Sequence, residues 1–163
     1  MADVTANKVH ETAPRSGYNS YPIANGVTLF AGALVGLEGG FLNHFADGAN
    51  DVFVGVVLGD AIGISPGAAL TGNTSASPVP EARVDQSGVT LMHLASVGGT
   101  PAQTKVGDLV YATTSNVDDL TLDASAGGDA DHAVGYLSRF RSTTDVDVTL
   151  FTPAEHLAST ANQ

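Results

Sequence analysis

Five histidines are the side chains of this sequence best suited to metal binding or to general acid and base catalysis, and they are scattered. They are His10, His44, His93, His132 and His156. No two of them are separated by one or by three residues, the spacings that place imidazoles together on one strand or one helix face. The sequence has no cysteine, which excludes disulfides, a thiolate nucleophile and a zinc site with cysteine ligands. We therefore expect no histidine-rich metal site.

Carboxylates in the last third of the chain are better candidates for binding a hard cation. The group comprises Asp118, Asp119, Asp123, Asp129 and Asp131, with His132 beside it. Carboxylates spaced by two residues can converge on one ion, but the bidentate glutamate of a calcium-binding loop is missing. A solvated acidic turn before the next strand explains the same residues. We expect no metal and no other cofactor.

Nucleophilic catalysis has no matching motif. The Gly-x-Ser segment comparable to a hydrolase elbow, Gly63-Ile64-Ser65, runs into Pro66 and lacks a strand, turn and helix context. Glycine pairs begin at Gly39, Gly98 and Gly127, but they lack the lysine and the flanking helix of a phosphate-binding loop. The sequence therefore predicts that the protein is not an enzyme.

Charge and hydropathy argue against two classes of partner. The 163 residues include 17 acidic and 6 basic side chains, so the net charge of −11 repels nucleic acid. No apolar run approaches the roughly 18 residues that a membrane span needs. The amino terminus lacks the basic segment and apolar core of a secretory signal. We expect an intracellular product with no nucleic-acid partner and no membrane partner.

Short strands separated by Gly, Pro, Asn and Asp are predicted along most of the chain. They span residues 27–30, 33–37, 51–58, 81–84, 89–95, 108–112, 119–122, 133–140 and 145–151. The last strand alternates, which places Val146, Val148 and Leu150 on one face. The strand around Phe53 is apolar throughout and is predicted to be covered on both faces. The fold class predicted is all-β, a small antiparallel β-barrel or sandwich (SH3-like or β-tulip-like) with little helix.

The chain is predicted to have three parts. Residues 1–25 lack apolar periodicity and are predicted to form an extended amino-terminal arm. Residues 26–152 form the β-barrel domain, with a long loop at 63–80 that is too polar and too rich in Pro and Gly to be an element. Residues 153–163 form a short helical turn, with Thr152 as N-cap, and a carboxyl-terminal tail.

The predicted arm contains Tyr18, Tyr21 and Ile23. Aromatic residues without a local core often anchor to the surface of a partner. We therefore predict that these three side chains are buried in a neighbouring subunit. The alternative is that the arm folds back on its own barrel.

One sequence pattern occurs twice. Gly32-Ala33-Leu34-Val35 and Gly107-Asp108-Leu109-Val110 share Gly-x-Leu-Val, and each precedes a Val-Gly pair, at Val54-Gly55 and Val134-Gly135. A strand, excursion and strand unit that occurs twice would explain the pattern. A coincidence of small apolar residues explains it equally well.

The layout of residues 25 to 151 resembles that of the small β-barrel head decoration, or cement, proteins of tailed bacteriophages. The matching segments are 32–37, 53–56, 82–89, 106–112, 132–137 and 146–150. The positions that match the family pattern, to which the resemblance assigns a structural role, are Gly32, Leu34, Val35, Gly107, Asp108, Val110, Tyr111 and Gly135. The chain departs from the short members in its longer arm and in the 63–80 loop.

The resemblance implies a structural virion protein, made in the host cytoplasm, that binds the outer surface of the capsid. Its partner would be the major capsid protein, whose subunits it bridges and stabilises, and it would act as a homotrimer. Two alternatives remain open from the residues: a carbohydrate-binding or adhesion β-domain, and a tail or baseplate component. Exposed aromatics beside a groove would favour the carbohydrate-binding domain.

Overall fold

The computed structural model describes residues 12–13, 17–45, 52–58, 70–124 and 132–160, and these residues form an almost entirely β structure. The strands are β1 (Thr12–Ala13), β2 (Tyr18–Pro22), β3 (Thr28–Leu29), β4 (Leu34–Glu38), β5 (Phe41–His44), β6 (Val52–Val57), β7 (Leu70–Thr71), β8 (Glu81–Asp85), β9 (Thr90–Leu94), β10 (Leu109–Ala112), β11 (Leu120–Thr121), β12 (Ala133–Ser142) and β13 (Asp145–Leu150). A single turn of 3-10 helix (Gln103–Lys105) and the helix α1 (Pro153–Thr160) complete the described elements. The predicted all-β fold class is confirmed.

The strands form two large antiparallel sheets and one small one. The first large sheet has the order β2-β8-β6-β4-β5, and the second has the order β1-β9-β13-β12-β10-β11. The strands β3 and β7 make a separate two-stranded sheet. Within the described residues neither large sheet closes into a complete barrel.

The two large sheets repeat one topology. We call β2, β4, β5, β6 and β8 the first repeat, and β9 to β13 the second repeat. When the five strands of each repeat are numbered 1 to 5 along the chain, both sheets have the same strand order, 1-5-4-2-3. An isolated parallel bridge also links the segment after the first strand to the third strand, Ile23 to Leu42 in one repeat and Gly98 to Thr121 in the other.

The registers of the two repeats agree as well. Val35 pairs with Gly55 and Val110 pairs with Gly135, and both ladders shift register directly after that pair. The pattern shared by the two sequence segments therefore corresponds to a repeated structure, and chance no longer explains it.

Two glycines hold equivalent crowded positions in these ladders. A Cβ built on Gly55 would lie 2.0 Å from the carbonyl oxygen of Asp85, and one built on Gly135 would lie 2.2 Å from that of Thr149. Each carbonyl belongs to the fifth strand of its repeat. The glycine of each Val-Gly pair is therefore required by the close approach of two backbones.

Each repeat has its own apolar core. The first core consists of Ile23, Leu29, Ala33, Val35, Leu42, Val54, Val57, Leu70, Ala82 and Val84. The second core takes residues from all five strands of the second repeat, and also Leu34, Phe45, Phe53 and Val56 from the first. The strand β6 is thus buried on both faces, as its uninterrupted apolar sequence predicts.

The helix α1 begins with the predicted cap. The backbone N–H of Glu155 donates to Thr152 Oγ1 at 3.3 Å, and the N–H of Thr152 donates to Glu155 Oε2 at 2.8 Å. This reciprocal pair is a capping box. On the inner side of the helix, Nδ1 of the buried His156 lies 2.9 Å from the carbonyl oxygen of Ala133. A carbonyl oxygen can only accept a hydrogen bond, so Nδ1 is the donor. The predicted helical turn is confirmed, and it packs against β6 and β12.

The predicted end of the arm at residue 25 is wrong. The strand β2 pairs with β8 at every residue from Tyr18 to Pro22, and Ile23 is fully buried in the first core. The polar strand escaped prediction because its partner lies about 60 residues further along the chain, so no local period marks it. Residues 1–11 and 14–16 of the predicted arm lie outside the described residues.

The loop predicted at 63–80 also contains an element. Leu70 and Thr71 form β7, which pairs with β3 and places Leu70 in the first core. A strand of two residues is too short to show a period, so turn chemistry alone shaped the prediction. Residues 63–69 lie outside the described part.

Candidate functional site

Tyr18 is the most exposed large apolar side chain of the described structure, with 66% of its surface accessible. The guanidinium carbon of Arg83, on the neighbouring strand β8, lies 4.2 Å from the centroid of the tyrosine ring. Stacking of this kind holds an aromatic ring in one position at the surface. A shallow groove of about 380 Å³ runs beside the pair and is lined by Tyr18, Asn19, Ser20 and Arg83.

The other two residues predicted to bind a partner are used within the fold. The hydroxyl of Tyr21 accepts a hydrogen bond of 2.7 Å from Gln86 Nε2, and its ring packs against the first core. Ile23 has no exposed surface. The prediction that Ile23 is buried in a neighbouring subunit is therefore wrong. The alternative, that this part of the chain folds back on its own domain, is what the structure shows for Ile23. Tyr18 alone of the three presents most of its side chain to solvent.

The positions that match the family pattern lie at the pairing points of the repeats. Gly32 donates its N–H to the carbonyl of Val57 at 2.9 Å, and Gly107 donates to Leu137 at 2.8 Å. The Asp108 carbonyl accepts from the N–H of Leu137 at 3.0 Å. Leu34, Val35, Val110 and Tyr111 are buried. The buried side chains at these positions build the sheets, while the Asp108 side chain is exposed.

An acidic groove of about 420 Å³ lies in the second repeat, with Asp118 and Asp119 in its wall. Asp119 Oδ2 accepts a hydrogen bond of 3.0 Å from Thr114 Oγ1, and Asp118 donates its backbone N–H to Asn116 Oδ1. Both contacts belong to a turn. Across the described ranges no three His, Asp or Glu side chains converge as metal ligands would, and Asp129 and Asp131 lie outside those ranges.

A charged cluster on β12 and β13 contains an ion pair held by two hydrogen bonds. Arg141 Nη1 lies 2.5 Å from Asp147 Oδ1, and Nη2 lies 2.8 Å from Oδ2. Hydrogen bonds from Arg141 hold the pKa of Asp147 below its ordinary value, and the same contacts raise the pKa of Arg141. Asp147 is almost fully buried and also accepts the backbone N–H of His93 at 3.1 Å. The cluster therefore fastens β9, β12 and β13 together.

We predict that Arg141→Leu lowers the free energy of unfolding at pH 7 more than Arg139→Leu does, because it leaves the carboxylate of Asp147 without its counter-charge. Arg139→Leu, on the same strand but exposed, should cost less than about 0.5 kcal/mol. Since the pKa of Asp147 is depressed in the folded state, the pair stabilises the protein above the ordinary carboxyl pKa and is lost as the pH falls below about 4. Urea titrations should therefore show the difference between the two variants shrink at low pH; an unchanged difference would contradict this account.

No helix in the described part of the chain is long and apolar enough to cross a membrane. No protein-family model, curated protein or solved structure matches the chain. A function must therefore be inferred from the geometry of the described surface and from the layout of the sequence.

Proposed function

We propose that this chain is a structural virion protein that binds the outer surface of a bacteriophage capsid and stabilises it by bridging major capsid protein subunits. The observation that carries the proposal is Tyr18, an exposed aromatic residue held by Arg83 on a strand of a well-packed sheet. Aromatic anchors fixed on rigid elements supply much of the energy of protein interfaces. The layout shared with decoration proteins agrees with this role.

The charge of the chain supports an outer position. A net charge of −11 would face packaged nucleic acid at close range if the protein lined the inside of the shell. Like-charge repulsion, although screened by salt, disfavours that arrangement. On the outside of the shell the same charge keeps copies soluble before they attach.

Attachment to finished particles tests the proposal. We expect the purified protein to cosediment with DNA-filled capsids that lack it, since protein added from outside can reach only the outer face. Tyr18→Ala should weaken attachment about thirtyfold, the effect of losing an interface anchor worth 2 kcal/mol. Phe41→Ala is the matched control, because Phe41 is also a partly exposed aromatic at a sheet edge, 37% exposed on β5.

Two results would contradict the proposal. If the wild-type protein fails to cosediment with the capsids at any concentration, it is not a decoration protein. If Tyr18→Ala and Phe41→Ala weaken attachment equally, Tyr18 is not the anchor. The melting temperatures of both variants should be measured first, so that weak attachment is not caused by unfolding.

The same groove favours a second candidate, a carbohydrate-binding domain. An exposed ring beside amide, hydroxyl and guanidinium groups matches the mixed stacking and hydrogen bonding that sugar rings require, and Tyr18, Asn19, Ser20 and Arg83 supply these groups. Binding of the wild-type protein to a glycan array, lost in Tyr18→Ala, together with no attachment to capsids, would select this function instead.

A further inference from the structure

The strand β2 leaves one row of backbone groups facing away from its sheet. Gly17 accepts at its carbonyl from the N–H of Gln86, and Ile23 donates its N–H to the carbonyl of Pro80. Backbone groups alternate in direction along a strand, so those of every second residue from Gly17 to Ile23 point towards β8. The N–H and C=O groups of Tyr18 and Ser20 therefore point outward, whereas beyond Ser20 the isolated bridge between Ile23 and Leu42 brings β5 alongside the chain.

The equivalent edge of the second repeat is occupied. Asp85 and Thr149 hold equivalent places in the fifth strands, since their carbonyl oxygens crowd the two equivalent glycines. Tyr18 pairs with Asp85 and Thr90 pairs with Thr149, so Tyr18 and Thr90 are equivalent as well. Beyond Thr90 the sheet continues into β1, whose Ala13 pairs with Thr90 in antiparallel register. The fold thus contains one example of a strand added at this position, and the first repeat has none among the described residues.

The edge of β2 lacks the charges that usually protect an edge strand. It is the longest edge strand of the described sheets, and its sequence Tyr-Asn-Ser-Tyr-Pro carries no charge. By contrast, β11 at the edge of the second sheet is flanked by Asp118, Asp119 and Asp123. Natural proteins block unpaired edges with charges because bare edges pair with other chains. In a chain of net charge −11, β2 is an edge where two copies can meet without placing acidic strands side by side.

We propose that the β2 edges of two copies of this chain pair in antiparallel orientation, about a two-fold axis at Asn19. In this register Tyr18 of each copy exchanges N–H and C=O bonds with Ser20 of the other, so both outward donors are used. Pro22, which has no N–H, ends the ladder. The N–H of Ser20 leaves its exposed contact with Asn19 Oδ1, 3.0 Å away, and gains a carbonyl acceptor. The proposal does not depend on the function proposed above.

The pairing also predicts a geometry that differs from the expectation drawn from the family resemblance. An edge-to-edge pair is isologous, because each copy contributes the same surface, and it therefore closes as a dimer. The first sheets of the two copies would join into one continuous sheet. A homotrimer, which the resemblance implies, needs a head-to-tail contact instead.

Charges introduced at the two-fold axis test the proposal. Side chains of residues directly opposite each other in a ladder interact, so Asn19→Lys and Asn19→Asp should each weaken self-association at least about fivefold. An equimolar mixture of the two variants should restore it, because lysine then faces aspartate. Sedimentation equilibrium of the full chain measures the association, and Asn73→Lys, at an exposed turn asparagine, is the control.

Each possible outcome either supports or overturns the proposal. A wild-type dimer that is weakened by each Asn19 variant and restored by their mixture supports the proposal. A wild-type monomer at every concentration overturns it. A dimer or trimer that neither Asn19 variant weakens overturns it as well. Because Asn19 is exposed, both variants should match the melting temperature of the wild type at concentrations where the wild type is monomeric.

Discussion

Replacing Gly55 or Gly135 by alanine is expected to lower the free energy of unfolding by more than about 4 kcal/mol, a large fraction of the roughly 5 to 15 kcal/mol of an ordinary domain. The added methyl group would lie 2.0 Å from the Asp85 carbonyl oxygen in one case and 2.2 Å from that of Thr149 in the other. Backbone atoms on a paired strand cannot move aside as the end of a flexible side chain can. At Gly55 the φ of +141° adds conformational strain for any residue with a Cβ.

Gly40→Ala separates steric crowding from strain. Gly40 has a φ of +88°, but a Cβ there meets no atom within 4 Å, so this variant should lose only about 1 to 2 kcal/mol. Guanidinium titrations followed by far-ultraviolet circular dichroism would measure all three variants. If Gly135→Ala lost no more stability than Gly40→Ala, the close approach of β12 and β13 described above would be wrong.

Ile23→Ala is expected to lower the free energy of unfolding by about 3 to 4 kcal/mol, because it opens a cavity in the first core. Tyr18→Ala, five residues earlier, should cost less than about 1 kcal/mol, since the ring is exposed and loses only its stacking with Arg83. Thermal unfolding of the two variants compares a core residue with a surface residue in one short segment.

Deleting residues 2–24 extends this test. The deletion removes β2, the partner of β8, together with Ile23. We expect the truncated protein to have no cooperative thermal transition. A truncated chain that kept the wild-type melting temperature would restore the original view that this segment is an arm held by a partner.

Most elements of the fold could be predicted from local sequence. The apolar run of β6 predicted burial on two faces, and Thr152 marked the start of α1, because both signals are local. The strands β1, β2, β5 and β7 were not predicted. The partners of β1, β2 and β7 lie far along the chain, so no local period marks them. The strand β5 pairs with the adjacent β4, but its exposed Phe41 and buried His44 reverse the usual apolar pattern.

The candidate site was likewise predicted only in part from local sequence. Tyr18 attracted attention because no local pattern explained an aromatic residue there, and the structure places it at the surface. The stacking of Arg83 on its ring depends on the register of β2 against β8, which no local feature specifies. Ile23 was predicted to contact a partner because the pairing of β2 with the distant β8, which places Ile23 in the first core, leaves no local pattern. The repeated Val-Gly pairs at 54–55 and 134–135 did contain tertiary information, because crowding at Gly55 and Gly135 constrains both copies alike.

The strand β6 also determines how the protein loses its structure. Val54 and Val57 face the first core, while Phe53 and Val56 face the second. Unfolding either repeat alone would expose one apolar face of this strand to water, at roughly 25 cal/mol for every Å² uncovered. We therefore expect the two repeats to melt together as one cooperative unit, so that the duplicated topology does not give two independently stable halves.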